Sequence, residues 1–253
     1  MLKLSSKPIS VIQGEGPLIG KRMVLLRVKG CNLHCPMCDE PDSLDNTKDT
    51  ILMKNKEIIN YIKKSGINNL MITGGEPLLY QEEILEFAND CINNKIIFDN
   101  VNIETNGSIL PESIFRKSEF PQPNLGQYYF AHNLLFSISP KIGGLISGVN
   151  KDPLFFIDNI KTLKLSNHNF NFIIKIVINP NNIEILNTIE NDINYNIIKK
   201  LRDMDHNVYL MPLGATREDQ IKNSPTVIDL CIKYGYEFSP RTHILIYDTK
   251  KGV

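Results

Sequence analysis

Apolar runs of β type alternate along this chain with longer stretches of helical spacing. Residues 23–28 (MVLLRV) read as a buried strand, and 54–64 (KNKEIINYIKK) as an amphipathic helix closed by Gly66. A second strand, 69–73 (NLMIT), precedes a helix over 81–91 whose first turn carries Glu82 and Glu83, residues that suit a helix N-terminus. The third strand, 101–104 (VNIE), ends near the turn pair Asn106-Gly107, and the fourth is 134–138 (LLFSI). A helix is expected over 154–165. Residues 172–178 (FIIKIVI) form the fifth strand, stopped by Pro180, and a helix over 183–204 follows. The sixth strand is 208–211, helical spacing returns near 227–234, and a last apolar run covers 243–247. The segment 111–132 breaks the rhythm and reads as a loop-rich excursion.

Strands alternating with helices imply a parallel sheet with right-handed crossovers. Six such units are too few for the closed eight-unit barrel, so the expected α/β fold is an open partial (β/α)6 barrel, with a doubly wound sheet as the alternative. Loops at the carboxyl ends of parallel strands converge on a site. Here they carry Cys31 to Asp39, Gly74-Gly75-Glu76-Pro77, Thr105-Asn106-Gly107, Ser139-Pro140-Lys141, Asn179-Pro180 and Pro212-Leu213-Gly214. Every polar or glycine-rich oddity therefore falls on one face.

Composition narrows the partners. At 253 residues a single domain over 1–253 is the default. Lys plus Arg equals Asp plus Glu at 28 each, so no net field favours nucleic acid or an acidic membrane surface, and a small molecule is the expected partner. No apolar run approaches the roughly 20 residues that span a bilayer, and the start lacks the apolar core of a secretory signal, which points to the cytoplasm. Asn and Ile crowd residues 181–198, but helical spacing persists through them, and the stretch is not read as low complexity.

Three of the five cysteines fall within eight positions. Cys31, Cys35 and Cys38 have the spacing C-x3-C-x2-C, and three thiolates on one tight loop can hold three irons of a cubane, leaving the fourth iron open to chelate the amino and carboxylate groups of S-adenosylmethionine (SAM). The competing reading is a zinc site, which needs four ligands. Its fourth would have to be the adjacent His34, since Cys91 and Cys231 sit alone on predicted helices, where free Cys behaves as a small hydrophobe. Gly74-Gly75-Glu76-Pro77 alone would be an ordinary turn. Its glycines also allow close backbone approach, and Glu76 supplies a carboxylate or holds the loop.

Taken together, C-x3-C-x2-C and the following Gly-Gly-Glu-Pro resemble the radical SAM superfamily. A narrower resemblance comes from Ile12-Gln13-Gly14-Glu15-Gly16, Gly20, Arg27, Gly30-Cys31-Asn32-Leu33, Ser139-Pro140-Lys141 and Ser239-Pro240-Arg241-Thr242-His243, which look like the 7-carboxy-7-deazaguanine synthase family. It runs from about Pro8 to the C-terminus and weakens after Pro111, Lys151 and Pro180.

The resemblance implies conversion of 6-carboxytetrahydropterin to 7-carboxy-7-deazaguanine with loss of ammonia, on the route to queuosine and related deazapurines. It also implies a 4Fe-4S cluster, SAM and Mg²⁺ as cofactors, a flavodoxin- or ferredoxin-like electron donor, and a homodimer. Ile12, Gln13, Gly14, Arg27 and Thr73 would meet the pterin, and Glu15 would polarise it or order its loop. Arg27 suits a substrate carboxylate through its planar fork of donors. Met37, Asp39, Gly75, Glu76, Ser139, Pro140, Lys141, Met211, Pro212, Leu213 and Gly214 would line the SAM side, with Glu104 and Asn106 at the ribose. The terminal carboxylate of Val253 would reach the substrate. Two positions depart from the family pattern. Glu40 stands where the family places a magnesium-binding Thr, and is taken as the magnesium ligand; Met211 stands where Gln is frequent. Two other functions share parts of this pattern: an activase that places a glycyl radical on a partner protein, and a zinc-stabilised binding module without catalysis. Iron and sulfide content would separate the last from both enzymes.

Overall fold

The computed structural model describes residues 1–35, 38–44, 49–111, 130–141, 171–180 and 207–250. Within them the expected parallel strands are β3 (Arg22–Val28), β5 (Asn69–Gly74), β6 (Phe98–Thr105), β7 (Ala131–Ile138), β8 (Asn171–Ile178) and β9 (Asn207–Pro212). They pair in chain order, each parallel to the next. A short β10 (Glu237–Phe238) adds beyond β9. At the other end β1 (Leu2–Leu4), β2 (Ile9–Ile12) and β4 (Ile51–Met53) extend the sheet with antiparallel pairing. The result is one ten-stranded sheet whose order β10-β9-β8-β7-β6-β5-β3-β1-β4 has two ends, with β2 a second partner of β3. This is the open six-unit parallel arrangement, enlarged at both edges.

The edge strands escape sequence reading because they are two to four residues long, too short to display a period. β1 buries Leu2 and Leu4 while exposing Lys3, which is alternation over a single cycle. The helices α1 (Asn55–Ser65) and α2 (Gln81–Asn93) fall where expected. Gly66 closes α1 in the left-handed region at φ 61°, as a C-terminal glycine does. By contrast α3 (Arg217–Tyr234) begins well before the expected 227, and runs through Pro225. Thr216 caps it by accepting from the Asp219 amide at 3.1 Å, and Pro225 lies on its exposed side. The last apolar run is a short helix, α4 (Thr242–Tyr247). The helices expected over 154–165 and 183–204, and nearly all of the excursion, lie outside the described residues.

Side-chain alternation along the parallel strands separates two faces. Val24, Leu26, Leu70, Ile72, Val101, Ile103, Phe136, Ile138, Ile174, Ile176, Val208 and Leu210 turn to the helices, meeting Ile58 and Ile62 of α1, Phe87 and Cys91 of α2, and Val227 and Cys231 of α3. Phe130 packs edge-on to Phe98 and Phe87, with centroids 5.2 and 6.2 Å apart. The opposite face is layered. Met23, Leu25, Met71, Leu135 and Ile173 form an apolar layer together with Val11 and Leu18. One pleat further toward the carboxyl ends, Arg27, Thr73, Glu104, Ser137 and Lys175 replace them, so the sheet turns polar where the loops converge.

A row of asparagines crosses the opposite ends of the strands. Asn171 donates to Asn133, Asn133 to Asn100 and Asn100 to Asn69, at 2.8–2.9 Å, and Asn69 donates to the Arg22 carbonyl. Asn133, Asn100 and Asn69 each both give and accept, which fixes the relative register of β3 and β5 to β8 at that end.

Burial of two thiols in the helix-facing core gives a pH signature. Cys91 and Cys231 are pushed up by burial, to about 12 and about 11, from an ordinary 9.0. The folded state holds these protons after the unfolded chain has lost them, so this stability is intact below pH 9.0 and is lost between there and about 12. Urea midpoints should fall over that window, and Cys91→Ala should flatten the fall; an equally steep fall in the variant would assign it to other groups.

Candidate active site

The site begins with the loop that leaves β3. Cys31, Cys35 and Cys38 are partly exposed free thiols on one turn, where the Cys38 amide donates to the Cys35 carbonyl at 3.2 Å. Cys31 Sγ accepts from the Leu33 amide at 3.4 Å and from Asn106 Nδ2 at 3.8 Å. Burial raises all three thiols. N–H donors aimed at sulfur suit a thiolate, so the donor set fits an iron-sulfur cluster with three protein ligands. His34 is exposed, and Cys91 and Cys231 belong to the core beneath the helices. Among the described residues no three His, Cys, Asp or Glu side chains gather closely enough to hold a metal ion. Met37 lies outside those residues.

The glycine pair explains how this loop is held. Gly75 donates to the Val28 carbonyl at 3.0 Å and Glu76 N to the Gly30 carbonyl at 2.9 Å. A Cβ on Gly75 would stand 1.8 Å from that carbonyl oxygen, and Gly74 has φ +109° with Val28 O 2.4 Å from its own would-be Cβ. The close approach that needs glycine is thus to the cluster loop's backbone. Glu76 is fully buried and accepts from Leu78 N, Thr105 Oγ1 and Asn106 N at 2.9, 2.7 and 2.7 Å. It therefore ties the loops after β5 and β6 together, which is the loop-holding one of its two expected roles. Asn106 carries the tie onward, donating to Asn32 Oδ1 at 3.0 Å while Asn32 donates to Ser108.

The Gln-Gly-Glu-Gly segment sits against the chain's end. Thr242 N donates to Gly14 O at 3.0 Å and Gly16 N to Ser239 Oγ at 2.8 Å. A Cβ on Gly14 would lie 2.5 Å from His243 Nδ1, so glycine is required there by the His243 ring. Gln13, expected to meet substrate, is buried; its Oε1 accepts from Gly14 N and its Nε2 points to Met71 Sδ. Ile12 is exposed, and Thr73 stands opposite Arg27 in the parallel register. Arg27 pairs with Glu40 at 2.8 Å, so the expected carboxylate reader and the expected magnesium ligand meet each other.

An ionic chain, buried except at Asp39, joins these parts, and its central member lies within what the sequence shows only as an apolar strand. Lys175 Nζ lies 2.8 Å from Glu15 Oε2 and 2.5 Å from Glu104 Oε2. The other oxygen of Glu15 takes Arg241 Nε at 3.1 Å, and Arg241 Nη2 takes Asp39 Oδ2 at 2.6 Å. Asn102 donates to Glu104 Oε1 and Ser137 to Asn102, each at 2.8 Å. Burial opposes the charge on Glu15, but Lys175 and Arg241 outweigh it and hold that carboxyl well below its ordinary value. Burial likewise opposes the charge on Lys175, and Glu104 and Glu15 raise it above the usual lysine range. Glu104 is raised by burial, against Lys175. Glu15 is thus an ionised acceptor.

The remaining loops are fixed by side chains of α3. Gln220 Nε2 reaches the Pro212 and Gly214 carbonyls at 3.2 and 2.8 Å, and Asn223 Nδ2 reaches Leu213 O at 2.7 Å. Gly214 lies at φ +146°, where a Cβ would meet that of Asp219 at 2.3 Å. Met211 is buried. Ser139 N donates to Thr105 O, Lys141 Nζ to Ser139 Oγ, and Pro140 is buried between them. Val253 lies outside the described residues.

Comparison with known proteins meets this geometry. A model described as a 4Fe-4S single cluster domain matches residues 12–119. A 7-carboxy-7-deazaguanine synthase of Clostridium acetobutylicum is 40% identical over 110 residues, covering 44% of this chain and 48% of that protein. Its counterpart in Rhodopirellula baltica is 26% identical over 252 residues, covering 95% of this chain and 84% of that protein. The fold superposes on QueE from Escherichia coli with a TM-score of 0.59 at 17% identity, over 96% of this chain and 94% of that one. The chain is therefore similar to proteins named 7-carboxy-7-deazaguanine synthase, and over residues 12–119 to a 4Fe-4S single cluster domain. The chain spans about half the length, or less, of several curated family members it matches: 48% for the Clostridium protein, 39% for that of Methanothermobacter thermautotrophicus and 47% for that of Aquifex aeolicus. Both the cysteine loop and the glycine pair fall within the matched residues 12–119.

Glu76→Ala would leave two backbone amides and a hydroxyl unpaired in the interior. It should cost about 3 kcal/mol in urea unfolding and lower iron retention, because the loops it joins flank Cys31. A variant with wild-type stability would show that water replaces the carboxylate.

Proposed function

We propose that the chain, as one domain, is a radical SAM lyase that converts 6-carboxy-5,6,7,8-tetrahydropterin to 7-carboxy-7-deazaguanine with release of ammonia, in queuosine or related deazapurine synthesis. The observation that carries this reading is that the three-cysteine loop and the Gln-Gly-Glu-Gly loop share one end of the sheet, joined through Asp39, Arg241 and Glu15. The family relatives support it by name. When bound, a 4Fe-4S cluster on Cys31, Cys35 and Cys38, together with SAM, supplies the radical chemistry, and the protein orients and shields the reacting groups.

In this reading Gly75, Asp39, Ser139, Pro140, Lys141 and the 211–214 loop border SAM, as does Met37, with Glu104 and Asn106 at the ribose. Glu15, ionised and anchored from behind, offers its remaining lone pairs to pterin N–H groups. Arg27, beside Thr73, reads the substrate carboxylate once it exchanges partners with Glu40, which is then released to bind Mg²⁺. Gly14 and Ile12 shape the pocket wall, Gln13 braces it from beneath, and Glu76 holds the floor. An electron donor of the flavodoxin or ferredoxin kind, a homodimeric state and a cytoplasmic location complete the proposal.

Anaerobic reconstitution followed by iron and sulfide analysis and a turnover assay with 6-carboxytetrahydropterin tests it. Wild-type protein should bind iron and sulfide and release 7-carboxy-7-deazaguanine, while Cys35→Ala should lose both and Cys231→Ala neither. Iron-loaded, SAM-cleaving Cys35→Ala would overturn the ligand assignment. SAM cleavage without pterin turnover would favour a glycyl-radical activase, and zinc in place of iron would remove both.

A further inference from the structure

We propose that Lys175 is a positioning residue of the active site, an ammonium that sets the spacing between the substrate side at Glu15 and the SAM side at Glu104; this rests on the function proposed above. Lys175 stands in the middle of β8, in the run Ile173-Ile174-Lys175-Ile176-Val177, and its side chain is only 4% exposed. Ile173, one pleat below on the same face, is part of the apolar layer. An apolar residue at 175 would extend that layer at no electrostatic cost, whereas a buried lysine with two buried carboxylates is costly in desolvation and stabilises little on balance. Stability is therefore a poor reason for this residue.

Its contacts give a better one. The two carboxylates come from opposite halves of the site: Glu15 from the loop between β2 and β3, Glu104 from the end of β6. Among the described residues Lys175 is the group that touches both. Its chain is threaded close to Gly16, whose would-be Cβ lies 3.9 Å from Lys175 Cδ, so the Gln-Gly-Glu-Gly loop rests on the lysine stem as well as on its charge. The charged groups around it are Glu15 and Glu104 in contact, with Arg241 and then Asp39 beyond Glu15, and His243 adding to the field at Glu15. Removing the ammonium leaves two carboxyl groups facing each other across the gap it filled with no cation between them; they either move apart or share a proton, and in both cases the spacing that Lys175 sets is lost. Hydrogen transfer between two bound molecules needs their reacting atoms about 3–3.5 Å apart, and a shift of about 1 Å costs about a hundredfold in rate.

The test uses the full chain, reconstituted anaerobically, with Lys175→Met to remove the charge and Lys175→Arg to keep it on a planar fork of different reach. The arginine variant also serves if the methionine variant does not accumulate. SAM affinity is read by titrating the electron paramagnetic resonance spectrum of the reduced cluster, which requires no turnover. Coupling is read as deoxyadenosine released per product, alongside kcat and KM for the pterin. Lys175→Met should keep its iron and sulfide, bind SAM about tenfold more weakly, lose about a hundredfold in kcat, and release more deoxyadenosine per product. Lys175→Arg should recover SAM affinity to within about threefold, well inside the reach of a retained charge, yet stay uncoupled. Wild-type affinity and coupling in either folded variant would overturn the proposal. So would a loss of iron and stability in both variants with the coupling ratio unmoved, which is what a merely structural lysine would give. Should the wild-type protein cleave SAM but leave the pterin untouched, it is the substrate assignment that fails; Lys175 is then judged on SAM affinity alone, and an unchanged affinity in Lys175→Met overturns it.

Discussion

One ammonium between two carboxylates organises the polar end of this sheet. Lys175 brings Glu15 and Glu104 to hydrogen-bonding distance of a single nitrogen, from a strand whose residues 172–178 are otherwise Ile, Val and Phe. Without it, two buried negative charges would repel in a medium where charges are weakly screened. Arg241 continues the alternation of sign to Asp39, beside the last cysteine of the cluster loop. Opposite charges in sequence make a chain that is locally neutral at each link, and that is the condition under which ionised groups persist in an interior.

Around that chain the loops are braced by backbone as much as by side chain. Gly74 and Gly75 let the turn after β5 press directly on the backbone of Val28 and Gly30, so the root of the cysteine loop rests on a neighbouring strand. Glu76 then spends its carboxylate on three donors of the protein itself. The 212–214 loop follows the same rule, its carbonyls taken by Gln220, Asn223 and Arg241. Rigid supports placed beneath variable loops are the general economy of parallel α/β sites.

The inner face of the sheet shows why one surface serves both packing and chemistry. Its lower pleat, with Met23, Leu25, Met71, Leu135 and Ile173, excludes water from below, and its upper pleat carries Arg27, Thr73, Ser137, Glu104 and Lys175. On β3, β5, β7 and β8 the step from apolar to polar occurs within two residues, because successive residues on one face are two apart; on β6 Asn102 already carries polarity into the lower pleat. Charges just above an apolar floor act in a low effective dielectric, where their orientation of a ligand is strong.

Much of this was legible in the chain. The six parallel strands announce themselves through β-branched runs, and the cysteine spacing, the glycine pair and the Gln-Gly-Glu-Gly segment mark the loops that carry chemistry. These are local signals: a strand needs only its own residues to show its period, and a three-cysteine loop carries its spacing with it. What stayed hidden depends on partners far along the chain. Glu15 and Lys175 are 160 residues apart, and Arg241 and Asp39 are 202 apart. No spacing rule relates them. β1, β2, β4 and β10 are too short to display a pattern and exist because a neighbouring strand offers them hydrogen bonds. Helical spacing was visible only near 227–234, yet α3 begins at Arg217 and runs through Pro225. The sequence by itself determined the parallel sheet and the chemistry of its loops, because those depend on the order of residues within a few positions. Only the tertiary structure decided that Glu76 serves the loops, that Arg27 meets Glu40, and that Lys175 is buried between two acids, because charge pairing is settled by distance in space.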